Sequence, residues 1–120
     1  MSTLSTTDYK SLTRAISGNV GELRKSVPEV MAGFNAMGSA ALKAGAIDAK
    51  TKELIALAIG VAARCDGCLG FHTQALARLG ATREEVHETL GIAVYMGGGP
   101  SLMYAANAVE AFDECMAAKG

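Results

Sequence analysis

Cys65 and Cys68 stand three residues apart, His72 follows four residues after the second thiol, and Glu53 precedes the first by twelve. Thiol chemistry needs thiolate, and a free cysteine with a pKa of about 8.5 supplies little of it at neutral pH. The surrounding residues offer a remedy. Asp66 is a good N-cap for a helix beginning there, which places Cys68 in the first turn, where unpaired amides and the positive end of the helix dipole stabilise a thiolate. Cys65 then lies just outside the helix as the more exposed thiol, and the two can close a disulfide across one turn. His72 falls on the same face as Cys68, and because helical side chains tilt towards the N-terminus its ring leans back over that thiol. There it can take the thiol proton or hold the thiolate as an ion pair. Glu53 begins an otherwise apolar helix, so its carboxylate is expected to be partly desolvated and its pKa raised towards a useful range. With a turn at Cys65, Glu53 lies ~18 Å back and His72 ~10 Å forward along two antiparallel axes, leaving ~8 Å for two side chains and a water to bridge.

The same residues admit other chemistry. Cys65, Cys68 and His72 are three of the four ligands a structural zinc needs, with Glu53 or a neighbouring subunit as the fourth. Packed, inert thiols are the plainest alternative. A c-type haem is excluded because Leu69, not His, follows the second cysteine. The Gly97–Gly99 run is a turn, since no Lys-Ser/Thr follows to make a phosphate cradle. Asp66 is read as a cap and His87 as a solvated residue of an acidic helix. Tyr95 and Tyr104 are expected in the core or an interface, the methionines in the core, and Cys115 as an incidental third thiol.

The elements that must position these groups are helical. Asp8 or Thr7 can cap a first helix to about Lys25, with Leu12, Ile16, Val20 and Leu23 at helical spacing. Pro28 and Glu29 open a second, which carries Val30, Met31, Phe34, Met37 and Leu42 and is closed by Gly45. Asp48 caps a third, from Ala49 to about Arg64, apolar on every side from Leu54 to Ala63 and therefore expected to be central and buried. Gly60 within it calls for a close approach by another helix, since it otherwise costs about 1 kcal/mol relative to Ala. The fourth runs from Asp66 or Gly67 to Leu79 and stops at Gly80. Thr82 and Glu85 form a capping box for the fifth, whose stripe is Val86, Leu90, Ala93, Val94 and Met96. Pro100 or Ser101 starts the sixth, which ends near Ala118. No strand-like alternation persists, so no βαβ pattern of a thioredoxin fold surrounds the cysteines. The fold class expected is an all-α bundle of about six helices, a single domain over residues 1–120.

Composition sets the outer bounds. Half of the 120 residues are hydrophobic but only 5% are aromatic, and mean hydropathy is +0.24. So short a chain carries more apolar helix face than one copy covers, which favours a homo-oligomer. Eleven basic and twelve acidic residues give a net charge of −1 with no block of one sign, so there is no electrostatic footprint for nucleic acid. No apolar run in the first ten residues suggests a leader, and the longest run, Leu54–Ala63, is too short to span a bilayer. A cytoplasmic address is expected, where a cysteine pair is more often catalytic or metal-binding than structural.

The pattern Glu-x11-Cys-x2-Cys-x3-His, in Glu53, Cys65, Cys68 and His72, resembles the signature of the AhpD-like proteins of the carboxymuconolactone decarboxylase superfamily. LGATREEVHETLGIAVYMGGGPSLMYAANAVEAF downstream is similar to the same family, and the resemblance spans roughly Val27 to Phe112. It implies an all-α fold assembled as a homotrimer or homohexamer. It also implies reduction of hydroperoxides through the dithiol, with no cofactor beyond a redox-active Cys65–Cys68 disulfide, regenerated by a lipoyl or thioredoxin-type thiol protein. Carried over, Cys68 attacks the peroxide, Cys65 resolves the sulfenic acid, and Glu53 with His72 relays the proton. One departure is Gly67, where the best-studied member has a His directly before the second cysteine. The rival readings are a lactone decarboxylase, whose chemistry does not use the cysteine pair, and a non-catalytic redox-sensing or metal-binding helical oligomer.

Overall fold

Residues 8–119 are described in the computed structural model, and they form α1 (Tyr9–Ser26), α2 (Pro28–Leu42), α3 (Ala49–Ala62), α4 (Asp66–Arg78), α5 (Arg83–Gly97) and α6 (Gly99–Lys119), with no strand among them. Thr7 as a cap, and most of the stretch on which the expectation of no leader rests, lie outside the described residues.

Local chemistry explains most of the boundaries. The Asp8 carboxylate accepts from Ser11 N at 2.6 Å and the Asp48 carboxylate from Thr51 N at 2.7 Å, each satisfying an amide that the helix leaves without a partner. The backbone amide donors at these caps hold both carboxyls below the usual carboxylate range. Thr82 and Glu85 form a complete capping box at α5. Gly80 and Gly98 take positive φ after α4 and α5, the backbone that glycine adopts without strain.

The core sits among α3, α4, α5 and α6. Leu57 and Val61 of α3 meet Leu69 and Leu76 of α4, Val86 and Leu90 of α5, and Ala105, Ala108, Ala111 and Phe112 of α6. The many alanines let α6 lie close to its neighbours. α1 rests on α4 through Tyr9, Leu12, Thr13 and Ile16.

Three expectations about burial are corrected. α3 is buried along one face only, Glu53, Leu57, Gly60 and Val61, while Ile55 and Ile59 are exposed. The α5 stripe ends at Ala93 and the half-buried Val94, and Met96 faces outwards. No described methionine is in the core: Met37, Met96, Met103 and Met116 are exposed and Met31 is half-buried. The shared physical reason is that periodicity identifies an apolar face but not what covers it, and one chain supplies no cover for these. α2 is the extreme case, with no buried residue at all.

Candidate functional site

α3 and α4 form an antiparallel pair joined by residues 63–65, and this short connection builds the site. The Cys65 amide donates to Gly60 O at 3.0 Å and the Arg64 amide to Val61 O at 3.1 Å. Arg64 is the one non-glycine residue with positive φ (59°) among the described residues, a conformation that costs about 1–2 kcal/mol outside glycine. That turn sends α4 back along α3 so closely that a Cβ on Gly60 would lie 2.9 Å from the Cys68 Cβ. The close approach expected at Gly60 is therefore made by α4 at Cys68.

Cys65 and Cys68 are joined as a disulfide, with Cα atoms 5.2 Å apart. Two details differ from the sequence reading. The N-cap of α4 is Cys65, not Asp66: its Sγ accepts from Cys68 N at 3.2 Å, and Asp66 is the first helical residue. The Asp66 carboxylate is turned to another partner, accepting from the Tyr9 hydroxyl at 2.8 Å. Both cysteines are half-buried.

His72 lies one turn beyond Cys68 on α4, and its Nδ1 is 2.6 Å from Glu53 Oε1 across the helix pair. No 8 Å gap separates them. α3 ends at Ala62 and α4 starts at Asp66, so the axial offsets are ~13.5 Å and ~9 Å, and the ~4.5 Å difference is within reach of a glutamate. Residues 63–65 are not helical and add no rise along either axis. Glu53 is only 9% exposed, so its carboxylate is largely removed from water. With the carboxylate accepting from Nδ1–H, the imidazole holds Nε2 as its acceptor.

The site thus gathers all four sequence-predicted residues on α3, α4 and their connection. Tyr9 joins them from α1, and no local signal marked it: its partner is 57 residues away. Burial first, then the Asp66 hydrogen bond and charge, push its phenol well above the ordinary value of 10.0.

The remaining candidates lie elsewhere. His87 is exposed on α5, Tyr95 is exposed and Tyr104 half-buried. Cys115 is a free thiol lining a cavity of about 330 Å³ with Gln74, Arg78 and Glu114, and the dithiol residues take no part in it. Burial, the larger influence, pushes its thiol up.

Residues 28–111 match the Carboxymuconolactone decarboxylase family. Among solved structures, a carboxymuconolactone decarboxylase family protein from Legionella pneumophila is 57% identical, with a TM-score of 0.89 over 90% of this chain and 96% of its own. A second family protein, from Thermotoga maritima, for which a part in the antioxidative response has been suggested, is 28% identical, with a TM-score of 0.80 over 89% of this chain and 92% of its own. An uncharacterised protein of Cupriavidus necator is 43% identical over 108 residues, 90% of this chain and 96% of that one.

Proposed function

Because the chain belongs to the carboxymuconolactone decarboxylase family, we propose that it is an alkylhydroperoxidase-like member, a thiol-dependent peroxidase. The observation that carries the reading is the Cys65–Cys68 bridge placed one helical turn from a histidine that is itself held by a buried glutamate.

Reduced Cys68 attacks one peroxide oxygen as thiolate. The O–O bond breaks, Cys68 becomes a sulfenic acid, and the departing alkoxide takes a proton to leave as alcohol. Cys65 then attacks the sulfenic sulfur, closing the disulfide and releasing water. Two electrons pass from the dithiol to the peroxide, and a dithiol reductant of lipoyl or thioredoxin type returns them. His72, four residues on, lies about 6 Å from Cys68 between Cβ atoms, near enough for its Nε2 to take the thiol proton and return it to the alkoxide. Glu53 fixes the imidazole and stabilises its charged form.

A reducing cytoplasm is where such a dithiol is recharged, and we place the protein there. Among the described residues no helix is long and apolar enough to cross a membrane. The uncovered faces of α2 and α3 support a homotrimer or homohexamer.

Free thiols counted before and after a small excess of hydroperoxide test the proposal. Two thiols per chain should disappear and return with a dithiol reductant, and in Cys68→Ser this loss should be abolished. Cys65 and Cys68 staying reduced in the wild type would sink it.

A further inference from the structure

Asp66 sits between the two cysteines, where an ionised carboxylate has two effects on a reduced dithiol. Its charge repels a neighbouring thiolate, and its oxygens compete with sulfur for the amides of the first turn. The structure ties that carboxylate down from outside the helix pair. The Tyr9 hydroxyl donates to Asp66 Oδ1 at 2.8 Å, and Tyr9 is 2% exposed, so the donor is held in place by packing.

The rest of α1 serves the same contact. A Cβ on Gly67 would lie 2.9 Å from Ile16 Cδ1, and one on Gly70 would clash with Thr13 and touch Tyr9. Both glycines of α4 therefore lie under α1, and Gly67 is one of the two residues between the cysteines. Gln74 Nε2 donates to Thr13 Oγ1 at 2.9 Å and closes the seam one turn further on. α1 precedes the stretch that matches the family, which begins at residue 28.

We propose that Tyr9 is a positioning residue of the dithiol, holding Asp66 away from the first turn of α4 so that the Cys68 amide is left to sulfur. This rests on the reading that Cys65 and Cys68 cycle between dithiol and disulfide. The Cys65 sulfur accepts that amide in the bridged form, and in the reduced form the same bond stabilises a thiolate. The other ionisable groups around the pair are Glu110 and Tyr104 of α6, which face Tyr9, Arg64 in the connection, and the His72–Glu53 pair.

The test is the pH dependence of iodoacetamide alkylation of the reduced full chain, read peptide by peptide by mass spectrometry, with Cys115 as the internal reference. Tyr9→Phe keeps the ring and removes the donor. It should cut the thiolate fraction of the Cys65–Cys68 pair at neutral pH by about threefold, a shift of about half a pKa unit. Asp66→Asn removes the charge and should raise that fraction, and adding Tyr9→Phe to Asp66→Asn should change nothing more. An equal effect of Tyr9→Phe with and without Asp66, or no effect, overturns the proposal. If Tyr9→Phe fails to fold, Asp66→Asn alone decides, and an unchanged titration there overturns it. Alkylation needs no peroxide, so failure of the peroxidase reading would show separately, as thiols that hydroperoxide leaves untouched.

Discussion

Glu53 and His72 are on different helices, and their 2.6 Å contact is the part of the site most sensitive to a change of one atom. Glu53→Gln retains a carbonyl oxygen that can accept from Nδ1–H, so the ring stays in place and the fold should hold. What is lost is the negative charge that stabilises an imidazolium during proton transfer. Oxidation of the dithiol by hydroperoxide should slow by about tenfold, less than the roughly hundredfold or more that full acid–base assistance contributes because the ring and its Nε2 are kept, with an unchanged melting temperature. Stopped-flow thiol loss measures it, and an equal rate would make Glu53 structural only. Spacing made the four residues legible in the sequence because Glu53, Cys68 and His72 lie on regular helices, along which periodicity carries, and Cys65 caps one of them. The cap was not legible. Asp66 is the better capping residue in isolation, but a tyrosine 57 positions away occupies it, and the cysteine sulfur takes the amide instead.

Among the elements, the α3–α4 pair carries the site, and its spacing is set where the two backbones come nearest. Gly60→Ala tests that spacing. The substitution gains up to about 1 kcal/mol in helix propensity, but the new methyl would meet the Cys68 Cβ at 2.9 Å, and overpacking of this kind costs about 1–3 kcal/mol. The contact is with a Cβ fixed to the α4 backbone rather than the end of a flexible chain, so the helices themselves must part. Net destabilisation of up to about 2 kcal/mol is expected in urea titrations of the oxidised protein. A gain in stability would show that the close approach is not what keeps a glycine there. Helix ends were largely readable in the sequence, at Asp8, Asp48, Thr82 with Glu85, and Gly80, because caps and stops are decided within four residues. Burial was less so, because the partner of each apolar face is not written beside it.

For the whole molecule, the faces that the chain leaves uncovered decide the next experiment. α2 is a 15-residue helix with no buried residue, and its Val30, Phe34 and Met37 are each more than 60% exposed. Ile59 on α3 and Ile92 and Met96 on α5 are equally bare. A short helix gains most of its stability from packing an apolar face, and α2 obtains little from its own chain. Its occupant is taken to be further copies of this chain. The expected homotrimer or homohexamer would cover these faces, and a standard interface removes about 1,600 Å² from water. Sedimentation equilibrium at micromolar concentration should give three or six times the monomer mass. Phe34→Glu places a charge in the middle of the α2 face and should shift the distribution towards the monomer, with a melting temperature that falls on dilution. α2 should then lose helicity first, seen as early exchange of its amides, while α3 and α4 keep their protection. A monomeric wild type whose α2 amides are as protected as those of α4 would mean that the helix is held by its own chain after all.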